Sequence, residues 1–111
     1  MNALRGDVVT LAYPTPTRDS PVKLTPLSIL YPGAMFEEQG KTVFLWDQRF
    51  DPIEQLDDYI RRSTDFGVSS FTGYQAGEAA RLLERAKRLN PSITNHLGGY
   101  HARLLPEQCE H

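Results

Sequence analysis

Four short runs of apolar, β-prone residues alternate with three stretches of helical periodicity, and this alternation limits the chain to few architectures. The runs fall at 7–13 (DVVTLAY), 41–47 (KTVFLWD), 66–71 (FGVSSF) and 92–97 (SITNHL). The first two are nearly continuous in apolar residues, as expected of strands covered on both faces. Thr25-Pro26 is a good N-cap and N1 pair, after which Leu27, Leu30, Tyr31, Ala34 and Met35 share one helical face up to a stop at Gly40. Pro32 removes the bond to the Ser28 carbonyl and predicts a kink. Asp51-Pro52 opens a second helix, with Ile53, Leu56 and Ile60 inward and Asp57, Asp58, Arg61 and Arg62 toward water. A third, from Ala76 to Leu89, packs Ala76, Ala79, Ala80, Leu83 and Ala86 inward and ends at Asn90-Pro91. The order βαβαβαβ with short connections implies parallel strands joined by right-handed crossovers. The expected fold is therefore a doubly wound α/β structure with helices on both faces of the sheet.

At 111 residues the chain reads as a single domain spanning 1–111. Twelve basic against 14 acidic residues, a formal net charge of -2, leave no electrostatic footprint for nucleic acid or an anionic membrane. Arg81, Arg85, Lys87 and Arg88 share their helix with Glu78 and Glu84 and read as a solvated face. Cys109 is the single cysteine, which excludes an intrachain disulfide and a cysteine-built metal cluster. The apolar runs are too short to span a membrane, and residues 1–7 lack the apolar core of a signal peptide, so a cytoplasmic location is expected.

In open parallel sheets ligands sit beyond the carboxyl ends of the strands, at the point where strand order reverses. Those ends carry the proline-rich loop from Pro14 to Pro21, the segment from Ser69 to Gln75, and the segment from Gly98 to Pro106. Gly98-Gly99 fits either a close backbone approach to a ligand or a tight turn. The hydroxyls of Ser69 and Ser70 suit a buried polar edge of a ligand, or a local bond to the helix that follows. The third strand ends in Ser-Ser-Phe where a phosphoacceptor aspartate would be needed, and no Gly-x-Ser-x-Gly elbow occurs. The first loop lacks the Ser, Thr and Gly density of a phosphate cradle, which weakens a flavodoxin-like binder of FMN or another nucleotide.

Taken together, the Pro-Leu-x-x-Leu-Tyr stretch at Pro26 to Tyr31, Glu37-Glu38-Gln39-Gly40, Gly67 to Gly73, and Gly98-Gly99-Tyr100-His101-Ala102 leading to Leu105-Pro106-Glu107 carry a resemblance. From about Val8 to Glu107 the chain resembles the cobalamin-binding domain at the amino end of cobalamin-dependent radical S-adenosylmethionine enzymes, a group of methyltransferases and cyclases. The resemblance implies a flavodoxin-like sheet of order 2-1-3-4-5, of which this chain supplies four strands in the order 2-1-3-4, with the fifth missing. It also implies cobalamin as cofactor. Ser69-Ser70-Phe71 stands at the place of a Ser-x-Leu motif that serves the cofactor's buried nucleotide tail, and Gly98-Gly99 at the place of a Gly-Gly that leaves room for it. The cofactor-binding residues so implied are Thr15, Thr17, Ser69, Ser70, Phe71, Thr72, Gly73, Gln75, Gly98, Gly99, Tyr100 and His101.

Two departures shape the expected function. The Asp-x-His-x-x-Gly motif that supplies a histidine to cobalt in one branch of these domains would fall between Tyr13 and Pro21, where there is no histidine. No protein ligand to the metal is expected from that loop, and His101 is left to face the corrin or a partner domain. The Cys-x-x-x-Cys-x-x-Cys motif is also absent, so the iron-sulfur cluster and S-adenosylmethionine belong to a separate radical S-adenosylmethionine catalytic domain and no catalytic residue is assigned here. The expectation is a cobalamin-binding module serving a methyltransferase or cyclase-type enzyme. The alternatives are a cofactor-free structural or interaction domain that keeps the fold, and the nucleotide binder. Thr94, Asn95 and His96 are polar for an inner strand and suit an edge, which predicts a homodimer through the fourth strand or exchange of the C-terminal segment.

Overall fold

The parallel sheet is built from β1 (Val8–Tyr13), β2 (Thr42–Asp47), β3 (Asp65–Ser69) and β4 (Thr94–Gly98), in the spatial order β2-β1-β3-β4. A computed structural model describes residues 6–15, 27–69 and 73–98. Helices α1 (Leu27–Glu38), α2 (Ile53–Arg62) and α3 (Gly73–Leu89) alternate with the strands. This is the expected α/β topology in the flavodoxin-like strand order. The segment after Gly98, where a fifth strand would be sought, lies outside the described residues.

Parallel register partners share a face of the sheet, and alternate residues of a strand share one as well. Val9, Leu11 and Tyr13 of β1 pack with Ile29 and Phe36 of α1 on one face. Ala12, Trp46, Phe66 and Val68 pack on the other with Leu56 and Ile60 of α2 and with α3. Two cores therefore sandwich the sheet. Several buried polar groups in them are paired. Ser63 Oγ donates to the Tyr59 carbonyl at 2.7 Å, so the buried Thr10 hydroxyl, 2.7 Å from Ser63 Oγ, is the donor in that second bond. Trp46 Nε1 donates to the Pro52 carbonyl at 2.9 Å.

Several expectations about faces are corrected. Helix α1 buries Ile29, Gly33 and Phe36, not the face of Leu30, Tyr31, Ala34 and Met35; Tyr31 is 71% and Met35 54% exposed. The reason is Gly33, whose missing side chain lets the helix backbone approach Leu45, Val43 and Leu11; a Cβ there would lie 3.2 Å from Leu45 Cδ2. A hydrophobicity count passes over a glycine used as a contact point. The helix runs through Pro32. Strand β2 is half exposed and buries only Trp46, because it forms an edge of the sheet. In α3, Ala79, Leu83 and Ala86 are buried as expected, but Ala80 is exposed, and Leu82, for which the sequence carried no expectation, is buried. Asp57 does not face water. It takes two hydrogen bonds from Arg85 of α3, both 2.7 Å, so Arg85 is not part of a solvated face either.

Candidate functional site: the carboxyl edge of the sheet

The register places one row of residues across the carboxyl ends of all four strands. Tyr13 pairs with Asp47, Ala12 pairs with Val68 so that the next step sets Tyr13 level with Ser69, and Ser69 pairs with Gly98. The row Asp47, Tyr13, Ser69, Gly98 lies on the α1 face of the sheet. Its two halves differ in chemistry. On the β3–β4 half the residues are a hydroxymethyl and a glycine, preceded on the same face by Gly67 and its register partner His96. On the β1–β2 half the residues are large and already engaged.

That engaged half is an ordered turn after β2. The Arg49 guanidinium clasps the Asp47 carboxylate through Nε to Oδ1 at 3.0 Å and Nη2 to Oδ2 at 2.7 Å. It lies over the Tyr13 ring at 4.7 Å and the Phe50 ring at 5.1 Å. The Asp47 hydrogen bonds raise the pKa of Arg49, which burial alone would lower. Asp51 Oδ2 accepts from the Asp47 amide at 2.8 Å and fixes the return of the chain into α2. Sequence reasoning missed this cluster. Its signal was the close spacing of Asp47, Arg49 and Asp51 after a strand end.

The root of the first loop is clamped from two sides. Thr15 N–H donates to Gln48 Oε1 at 2.7 Å, and Gln75 Nε2 donates to the Pro14 carbonyl at 2.8 Å. Gln48 Nε2 reaches toward Glu78 of α3 at 3.5 Å. Gln75 is fully buried at the first turn of α3. The loop between strand one and helix one thus leaves the sheet at a position set by β2 and by the helix after β3, the elements that flank the switch point.

Of the residues expected to bind cofactor, Ser69 and Gly98 are neighbours in register, Thr15 and Gln75 belong to the loop clamp, and Gly73 is the first residue of α3. Thr17, Ser70, Phe71, Thr72, Gly99, Tyr100 and His101 lie outside the described residues. Ser69 is 3% exposed. At the other end of the same strands, Asp65 is wholly buried and accepts from the Gly6 amide at 3.1 Å and the Thr64 hydroxyl at 2.8 Å, with His96 Nε2 at 2.9 Å. This pairing explains how β4 carries a polar His96 inside the fold. It sits away from the carboxyl row, at the first residue of β3.

Among the described residues no group of three or more His, Cys, Asp or Glu converges, and no helix is long and apolar enough to cross a membrane. What the carboxyl row offers is a buried hydroxyl beside backbone without side chains, an arrangement suited to holding a polar edge of a ligand against the sheet. A family model described as the B12 binding domain matches residues 16–111. No curated protein and no solved structure gives a significant match. The parallel order β2-β1-β3-β4 and a match over most of the chain agree: the protein belongs to the B12 binding domain family.

Proposed function

We propose that the chain is a cobalamin-holding module that serves a separate radical S-adenosylmethionine domain of the methyltransferase or cyclase type. The observation that carries the cobalamin reading is the register pairing of Ser69 with Gly98 at the carboxyl edge, beside Gly67 on the same face, in a chain of this family. The residues fit such a group. The Ser69 hydroxyl suits the polar edge of a nucleotide tail, and the glycines of β3 and β4 leave room where any other residue would place a Cβ. When bound, the cofactor would supply cobalt-centred alkyl-transfer chemistry. The chain's own share is binding and orientation, with Gln48 and Gln75 fixing where the first loop departs toward the site. Thr17, Ser70, Phe71, Thr72, Gly99, Tyr100 and His101 complete the proposed contact set.

The radical-enzyme partner rests on the sequence resemblance from Val8 to Glu107. With Cys109 as its single cysteine the chain does not itself hold the cluster that such chemistry needs.

Titration of the purified chain with hydroxocobalamin, followed by gel filtration and visible absorbance, tests the reading. Co-elution of colour with protein is expected, with a spectrum showing the cofactor's own base displaced from cobalt. Gly98→Val and Ser69→Val are expected to weaken retention at least about tenfold while leaving the circular dichroism spectrum unchanged. Elution of colourless protein would favour the cofactor-free interaction domain.

A further inference from the structure

The outer edge of β2 is built to pair with itself. Thr42 N–H bonds to the Asp7 carbonyl at 2.8 Å and Gln48 N–H to the Tyr13 carbonyl at 3.0 Å. In a parallel ladder this alternation turns the even-numbered backbone groups of β2 toward β1 and the odd-numbered ones outward. The Lys41 amide is taken by the Phe36 carbonyl and the Asp47 amide by Asp51. Val43 and Leu45 are left with both N–H and C=O pointing away from the sheet, and among the described residues no strand lies beyond them.

Edge strands are ordinarily blunted by proline, inward charge or a bulge. The stretch Thr42-Val43-Phe44-Leu45-Trp46 has none of these. Leu45 is 37% exposed, and α1 on the same face exposes Leu30, Tyr31 and Met35.

We infer that β2 pairs antiparallel with β2 of a second copy, about a two-fold axis at Phe44. Only one centred register makes the outward groups meet. Val43 then faces Leu45 of the second copy and Leu45 faces its Val43, each a pair that exchanges two hydrogen bonds, four in all. Phe44 meets its own equivalent across the axis in the closer, non-bonded position. The same register sets Lys41, whose ammonium donates to the Gly6 carbonyl, opposite Asp47 of the second copy, which Arg49 already clasps, so no like charges meet at either end. A shift by two residues would set Leu45 against Lys41 or Val43 against Asp47, whose amides are already taken. On the α1 face Val43 and Leu45 of both copies form one apolar strip. On the α2 face each Phe44 is already backed by Tyr59, stacked at 4.5 Å with the rings parallel, and by the Arg62 guanidinium at 4.9 Å. The result is an eight-stranded sheet that leaves both carboxyl edges open, since the axis crosses β2 at its middle.

Sedimentation equilibrium of the full chain over a range of concentrations tests this. A dimer is expected, and Phe44→Asp and Phe44→Lys should each raise its dissociation constant at least about tenfold by placing like charges across the axis. An equimolar mixture of those two variants should recover the dimer, which also demonstrates that both remain folded. Leu45→Lys should give monomer. A wild-type chain that stays monomeric overturns the inference. So does a dimer indifferent to both Phe44 variants.

Discussion

Asp57 on α2 and Arg85 on α3 are joined by two parallel hydrogen bonds of 2.7 Å each, tying together the two helices that cover one face of the sheet. These bonds hold the Asp57 carboxyl below its ordinary pKa, against the opposing pull of burial. A depressed folded-state pKa means stabilisation that is complete above the unfolded value of about 3.9 and is lost as pH falls through the folded one. Asp57→Asn should therefore cost about 1 kcal/mol at neutral pH. The difference from wild type should vanish in strong acid. Urea unfolding across that pH range measures it, and a gap that persisted below the folded pKa would refute the assignment.

The buried Asp65 carboxylate gathers the Gly6 amide, the Thr64 hydroxyl and His96 Nε2. Asp65→Ala removes the acceptor of the Gly6 amide and of His96, while the Thr64 hydroxyl keeps the Val8 carbonyl at 2.9 Å, and should cost roughly 3 kcal/mol. His96→Ala should cost less, because the carboxylate keeps its other donors. Equal losses from the two variants in denaturant melts would contradict this order.

Two glycines should respond with opposite signs. Gly77 lies inside α3 with nothing within 4 Å of a Cβ, so Gly77→Ala should raise stability by about 1 kcal/mol through helix propensity. Gly40 holds a φ of 84° after α1, so Gly40→Ala should lower it by about 1 kcal/mol. Shifts of the urea midpoint give both signs directly.

Asn95 is buried on the α3 face, where Nδ2 donates to the Leu83 carbonyl at 3.0 Å while Oδ1 has no partner among the described residues. Replacement by an apolar residue of similar size removes that orphan acceptor. Asn95→Leu should raise the thermal midpoint, and a fall would mean that the single amide bond outweighs the unpaired oxygen.

Strand and helix order, parallel pairing and the crowding of Ser69 and Gly98 at one edge were legible because each depends on local periodicity and on connection rules. What the sequence hid depends on tertiary partners. The buried face of α1 follows from Gly33, which carries no hydrophobic signal. Asp57 and Arg85 look like surface charges until α2 and α3 are laid side by side. His96 and Asp65 explain each other only across a ladder between strands far apart in sequence. The Asp47, Arg49 and Phe50 turn was readable as a charge pair, but its stacking on Tyr13 required β1 and β2 to be adjacent.

Strand β1 lies at the centre of the sheet, hydrogen-bonded to β2 on one side and β3 on the other, yet the family match begins only at residue 16. A fragment cut at the start of that match would lack the strand on which both neighbours depend, leaving β2 with α1 but nothing to pair against and β3 open along one edge. Trimming to the matched residues would thus split one four-stranded sheet into a lone β2 and a β3–β4 pair.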